Sequence, residues 1–344
     1  MMNRQTIILF FLAFMPLLSL SKAEESRVGI YDPVWTTQSA GSHESMPCGG
    51  GDIGLNVWVE KDDVLFYISR GGSFDENNTL LKSGRVRLRL TPNPFKDGDF
   101  SQRLNLSEGK VEIRGGTTEI EVWVDVHRPI IHVEVHSDGD IETELFYENW
   151  RYKDRPVRKG EGNQNSYKWA LPQGVVTKKD VVEAGEETVY FYHRNGSPTI
   201  FDVTVSQQGL DSVKNQLFNP LERLISGGKL WGDNLRFTRT GHGDYRDTDY
   251  QFWSFKSKKP ASEHRMYVAL HTGQEERIDD WKKKLDNISR EAYASSAKQT
   301  TREWWHDFWE RSHIAIDMKN TGSEAWKIGR NYQLFRYMLG CNAY

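Results

Sequence analysis

The stretch Met46-Pro47-Cys48-Gly49-Gly50-Gly51-Asp52-Ile53-Gly54-Leu55-Asn56-Val57-Trp58 decides how this chain is read, because a glycine-rich turn runs directly into an alternating strand. Glycine runs cradle phosphate where they open a helix N-terminus. No helical pattern follows here. Leu55, Val57 and Val59 point to one face and Asn56, Trp58 and Glu60 to the other, the period of a half-buried strand. A nucleotide site is therefore disfavoured. A plain turn before a strand is the simplest reading of the glycines; the alternative is a sharply bent backbone that another segment or a ligand approaches closely.

Outward from this stretch the pattern is strand after strand as far as about His271. Val64 to Ile68 and Gly84 to Thr91 come first, the latter with Val86, Leu88 and Leu90 inward and Arg85, Arg87 and Arg89 outward on an expected solvated face. Further strands are predicted through Ile130–Val135, Ile141–Tyr147, Thr188–His193, Thr199–Val205, Leu230–Thr238, Tyr250–Phe255 and His264–Leu270. Strands so closely spaced, with turn signals between them, predict antiparallel meanders in a large sandwich over residues 26–272. Trp150 to Asp180, rich in charge, Gly and Asn, reads as a long surface loop or lid. Asn195-Gly196-Ser197 reads as a tight hairpin turn.

After Thr272 the periodicity becomes helical. Ile278, Trp281 and Leu285, then Trp304, Trp305, Phe308 and Trp309, predict a helical linker over 273–315 whose aromatics pack rather than bind sugar. In residues 316–344, Thr321-x-x-Glu324 reads as a capping box for a last helix. Its stripe of Ala325, Ile328, Tyr332, Phe335 and Leu339 predicts the first helix of a domain not contained in these residues.

The 344 residues carry a formal net charge of -3, so no basic excess points to nucleic acid. Residues 1–23 read as a signal peptide, with Arg4, an apolar run from Ile7 to Leu20 and a cleavage site at Ser21-Lys22-Ala23. The expectation is a secreted or periplasmic protein with no membrane span, since no second long apolar segment follows. Spacing leaves open whether Cys48 and Cys341 pair. His242, Asp244, Asp247 and Asp249 lack a full calcium-loop pattern and read as a solvated acidic loop; with no HExxH or CxxC, neither metal nor cofactor is expected.

Sugar hydrolysis needs two carboxyl groups at a set separation. Asp52, Asp75 and Glu76 lie in loops flanking the first hairpin and are expected to share one rim of the sandwich. With Arg70, Trp150 and Trp253 they form the candidate substrate-binding set.

Four stretches together carry a resemblance: Met46 to Trp58, Ser69-Arg70-Gly71-Gly72-Ser73-Phe74-Asp75-Glu76-Asn77, Arg103-Leu104-Asn105-Leu106-Ser107-Glu108-Gly109, and Tyr332-Gln333-Leu334-Phe335-Arg336-Tyr337. They resemble the N-terminal part of six-hairpin glycosidases. The chain is similar to the α-L-fucosidases of glycoside hydrolase family 95, and more so to a bacterial domain-of-unknown-function family that looks like their divergent cousin. It departs from the family turn Pro-x-Gly-Asn-Gly in having Gly50 at the Asn position. The resemblance implies a galactose-mutarotase-like super-sandwich, mainly β, followed by a helical linker and the first helix of an α/α toroid. It places the catalytic carboxylates in that toroid, so no catalytic residue is expected in this chain, which is expected to be inert alone. The implied function is the N-terminal module of a secreted, fucosidase-like or related exo-glycosidase, with a carbohydrate as its partner. A non-catalytic carbohydrate-binding protein and a polysaccharide lyase module are the alternatives, and the oligomeric state stays open.

Overall fold

Period-two alternation governs the chain up to residue 274, and a computed structural model shows where each face goes for residues 28–96, 98–158, 160–167, 174–312 and 314–342. The signal-peptide segment 1–23 lies outside the described residues, so its reading stays an expectation. A short β1 (Val34–Trp35) precedes β2 (Met46–Gly50), β3 (Ile53–Glu60), β4 (Asp63–Phe74) and β5 (Leu80–Thr91). Then come β6 (Phe100–Asn105), β7 (Lys110–Gly115), β8 (Thr118–Val124) and the twenty-residue β9 (Ile130–Asn149). Small strands β10 (Arg155–Pro156) and β11 (Val176–Thr177) pair within the long loop, followed by β12 (Val181–Ala184) and β13 (Thr188–Arg194). Helix α1 (Ile200–Gln207) leads to β14 (Leu224–Gly232), β15 (Leu235–Tyr245), β16 (Thr248–Ser257) and β17 (Ala261–Gln274). Three helices, α2 (Ile278–Arg290), α3 (Ala297–Glu310) and α4 (Glu324–Gly340), end the described chain.

The protein is mainly β, with one 15-stranded antiparallel system folded into two facing layers. One layer runs β1-β6-β7-β8-β9-β17-β14-β13-β12; the other joins β2, β3, β4, β5, β9, β16 and β15. Strand β9 belongs to both. Residues 130–137 pair with β8 and β17, and residues 142–149 pair with β5 and β16. Between the layers lies a core of Val57, Phe66, Val86 and Leu145 from one side and Ile113, Val122, Val133 and Val268 from the other. Trp253 is part of this core, 8% exposed and paired in register with Tyr147, so it is not a rim residue. It sits on the inward phase of β16, which sequence alternation alone did not assign to a layer.

Three local expectations are corrected. Residues 199–205 form a helix, not a strand, because Thr199 and Asp202 make a capping box in which the Thr199 N–H donates to Asp202 Oδ2 at 2.6 Å. That cap overrides the β-branched composition. Asn195-Gly196-Ser197 accordingly leads into α1 instead of a hairpin, with the Asn195 side chain donating to Leu221 O. The last helix is capped by Ser323, whose Oγ accepts from Trp326 N at 3.0 Å, and Thr321 lies outside it.

The glycines of the deciding stretch accommodate other parts of the chain. Met46–Gly50 is itself a strand, turning back at Gly51 with φ +60°. A Cβ on Gly49 would lie 2.9 Å from the Cys341 Cβ, and one on Gly50 would press on Val124 and Val126. Cys48 and Cys341 are both buried free thiols, and burial raises the pKa of each. The linker aromatics pack as expected. Trp281 and Leu285 are buried against Tyr192, Ile225 and Tyr267. Trp305 is fully buried, stacked on Tyr337 at 5.0 Å and lying where a Cβ of Gly109 or Gly340 would be, while Trp309 Nε1 donates to Leu106 O at 2.6 Å. In contrast, Ile328, Phe335, Met338 and Leu339 on α4 are exposed.

Truncating Trp305 removes the ring that joins the Gly109 turn to α4. Trp305→Ala should cost about 3–5 kcal/mol in urea unfolding, whereas Phe335→Ala should stay within about 0.5 kcal/mol.

Candidate functional site

The outer face of the β3-β4-β5-β9-β16 layer should be wet by simple alternation, yet it is largely enclosed. Arg85, Arg87 and Arg89 do stand on it, but only Arg89 is exposed as a solvated face would be; Arg85 is buried and Arg87 partly so. Arg85 is buried against Glu148; Arg87 reaches Glu148 Oε1 at 2.6 Å and Asp63 Oδ2 at 2.9 Å; Arg89 clasps Asp63 with two bonds of 2.8 and 2.9 Å. Burial works against charge on Arg87, but Glu148 and Asp63 outweigh it and hold the guanidinium charged.

The reason is a cover that alternation does not reveal. The hairpin of β15 and β16 arches back across the face, so that Tyr245 OH donates to Glu60 Oε2 at 2.8 Å and accepts from Ser42 N at 3.2 Å. Arg246 donates to Ala40 O beside it. The Tyr245 ring lies on Arg85, 4.0 Å from the guanidinium carbon. A pocket of about 320 Å³ remains under the hairpin, lined by Glu60, Arg87, Arg89, Glu148, Tyr245 and Tyr250. The loop of His242, Asp244, Asp247 and Asp249 is the end of this hairpin, where Asp249 pairs with Lys153 at 2.6 Å. Among the described residues no group of three or more His, Cys, Asp or Glu side chains could hold a metal ion.

Tyr245 and Tyr250 separate that pocket from a wider cleft of about 440 Å³ between the hairpin and the described part of the long loop, from Trp150 to Asn165 and at Thr177. Its walls include Tyr67, Asp75, Lys82, Trp150, Arg151, Arg158 and Arg246. Trp150 meets Tyr67 edge-on at 5.8 Å and 88°, and Lys82 Nζ rests 4.5 Å above the Tyr67 ring. The outer part of the loop is held by an Arg155–Glu161 ion pair at 2.7 Å and by Asn77 Nδ2 donating to Val176 O at 3.1 Å.

Behind this wall runs a buried chain of charges. Glu76 Oε2 lies 3.1 Å from His193 Nε2, His193 Nδ1 lies 3.0 Å from Asp180 Oδ1, and Arg151 Nη2 donates to Asp180 Oδ2 at 2.6 Å. Arg151 Nη1 also donates to Lys82 O, and Asn149 Nδ2 joins Asp180 to Tyr147 OH. Burial opposes charge on His193, but Asp180 and Glu76 outweigh it and lift its pKa to about 9. Burial likewise opposes charge on Asp180, but Arg151 and His193 bring it down to about 2. The imidazole is thus a fixed cation between two carboxylates. Glu76 Oε1 is buried without a hydrogen-bond partner.

Of the six candidate residues the cleft takes two, Asp75 and Trp150. Asp75 Oδ1 accepts from the backbone N–H groups of Asn77 and Thr79, and burial raises its pKa above the ordinary value. Glu76 belongs to the buried chain of charges. Asp52 pairs with Arg70 at 2.8 Å at the β2–β3 turn, and Arg70 also donates to Leu270 O, which ties β4 to β17. Trp253 is in the core. Asp52, Arg70 and Glu76 do not line the cleft, and the carboxylates are committed to internal partners. The cleft wall offers aromatic surface, hydrogen-bond donors and, among the described residues, one carboxyl group outside an ion pair, Asp75. Sequence reading missed Lys82, Arg151, Tyr67, Tyr245 and Tyr250. The available signal was the three alternating arginines of β5, too many for a strand in the middle of a sheet without paired acids.

The model of a family described as a domain of unknown function (DUF5703) matches residues 34–314. No curated protein matches the chain. Among solved structures, a protein assigned as a kojibiose phosphorylase from human microbiome superposes with a TM-score of 0.45 at 10% identity, over 90% of this chain and 41% of its own. A heparinase III gene product with methylated lysines superposes with a TM-score of 0.28 at 10% identity, over 67% of this chain and 36% of its own. The chain thus spans well under half the length of either.

The charge chain behind the cleft makes stability depend on pH. A histidine whose pKa rises from 6.5 to about 9 on folding contributes stability that is fully present below pH 6.5 and lost as pH rises through about 9. Urea unfolding should show His193→Gln less stable than the parent by on the order of 3 kcal/mol at pH 6, with the gap closing toward pH 9.5. Asp180 acts in the opposite sense, its contribution lost only as pH falls through about 2.

Proposed function

This chain belongs to the DUF5703 family, and from that premise we propose that it is the glycan-facing N-terminal module of a secreted glycoside hydrolase, fucosidase-like or a related exo-glycosidase. The observation that carries the reading is the cleft of about 440 Å³ walled by Trp150 and Tyr67. Sugar rings present apolar C–H patches that suit aromatic faces, while the surrounding N–H donors suit hydroxyl groups. The acid and base of hydrolysis are assigned to residues outside this chain. The commitment of Asp52 to Arg70, of Asp75 to its own loop and of Glu76 to His193 supports that assignment. So does the exposed apolar side of α4, which suits further helices of a toroid.

A non-catalytic carbohydrate-binding protein is the second reading, favoured by the same commitment of the carboxylates. Both readings expect the purified chain to bind oligosaccharide without turning over aryl glycosides. In isothermal titration Trp150→Ala should weaken that binding by roughly tenfold, about 1.4 kcal/mol. Turnover by this chain that disappears in Asp75→Asn would overturn the placement of the chemistry elsewhere. Hydrolysis by a longer protein containing the toroid separates the two readings.

A further inference from the structure

The cleft has a charge that a neutral sugar does not require. Basic side chains on its walls outnumber acidic ones by seven to three, in a chain whose overall charge is -3. Part of that excess is internal. Arg85 is answered by Glu148 and Arg151 by Asp180, both just behind the wall, while Lys153 pairs with Asp249 and Arg155 with Glu161. Counting Glu148 and Asp180 with the three acids still leaves two positive charges in surplus. The surplus resides in Lys82, Arg158 and Arg246, which have no carboxylate partner within ion-pair distance among the described residues, against Asp75 as the one acid without a cationic partner.

Lys82 is the best placed of the three. Its ammonium lies 4.5 Å over the Tyr67 ring, which Trp150 meets edge-on, so charge and aromatic surface meet at Tyr67. A cation over a π-face keeps its charge available to a further anion. Resting on the reading of the cleft as a glycan site, we propose that it takes an anionic saccharide, a sugar residue bearing a carboxylate or a sulfate. The sugar ring would lie along the Trp150 surface, with Tyr67 edge-on to it, and its anionic group would meet Lys82 over Tyr67, with Arg246 and Arg158 adding field. A charge-assisted contact of this kind discriminates an acidic sugar from its neutral counterpart on the same backbone.

The test is isothermal titration of the purified chain, at fixed pH and at two salt concentrations, with matched oligosaccharides that are neutral, uronate-bearing or sulfated, and with inorganic polyphosphate as a non-sugar anion. At least one charged series should bind ten or more times tighter than the neutral one, and its affinity should fall with salt. Whether the uronate or the sulfate series does so identifies the anionic group. Lys82→Ala should reduce that advantage about tenfold, weakening the charged series far more than the neutral one, with the melting temperature measured alongside to show that the exposed side chain is not needed for folding. Trp150→Ala should weaken every sugar and not polyphosphate. Equal affinity for neutral and charged sugars, or an indifferent Lys82→Ala, overturns the anionic assignment and leaves the glycan reading standing. Binding of no sugar at all overturns both. Polyphosphate bound as tightly as the charged sugar, without dependence on Trp150, overturns the inference in favour of a general polyanion site.

Discussion

One strand constrains the rest. Because β9 runs through both layers, its register against β8 and β17 at one end and β5 and β16 at the other sets how the two sheets face each other. Alternation along its second half then puts Leu145 and Tyr147 into the core and Phe146 and Glu148 on the outer face, since a slip of one residue would exchange them. Glu148 is the acceptor for both Arg85 and Arg87, so removing it would leave two enclosed guanidinium groups short of their counter-charge. The residues that follow it directly, Asn149, Trp150 and Arg151, carry this geometry into the wall of the cleft.

That wall stands on paired charge more than on apolar packing. The series Glu76, His193, Asp180 and Arg151 crosses from the end of β4 to β13 and on to the two ends of the long loop, and each member is buried. Removing one member of such a series strands a buried charge, so it is costly to break, and it permits few arrangements. It therefore suits a surface loop that has to hold Trp150 against Tyr67 in one orientation. The arched hairpin completes the enclosure from the other side through Tyr245, which shields Arg85 and the acids around it from water.

Different physics joins the helices to the sandwich. There the chain uses the absence of side chains: Gly49 and Gly50 let the end of α4 and the end of β8 approach, and Gly109 at φ +67° leaves the space occupied by the Trp305 ring. On the inner side of α4 Gly329, Gln333, Gly340 and the Tyr337 ring are buried and Trp326 and Leu334 pack against the core, while Ile328, Phe335, Met338 and Leu339 face outward. A helix ordered this way packs on the sandwich by close approach and leaves its other, apolar side exposed.

The sequence by itself determined the element types over most of the chain, because alternation and helical spacing are local and the residues that carry them, such as Leu55, Val57 and Val59 or Trp281 and Leu285, report on themselves. It also pointed to packing of the linker tryptophans, since a large ring has few uses, and held close approach at the glycines only as the alternative to a plain turn. Alternation further placed Arg85, Arg87 and Arg89 on the face away from the core, and read that face as solvated. The cover comes from Tyr245, 185 residues beyond Glu60, and the cleft wall from His193, 117 residues beyond Glu76. Only the tertiary structure brought Trp150, Tyr67 and Lys82 together and sent Trp253 into the core, because a pairing between distant segments leaves no periodic trace in either of them.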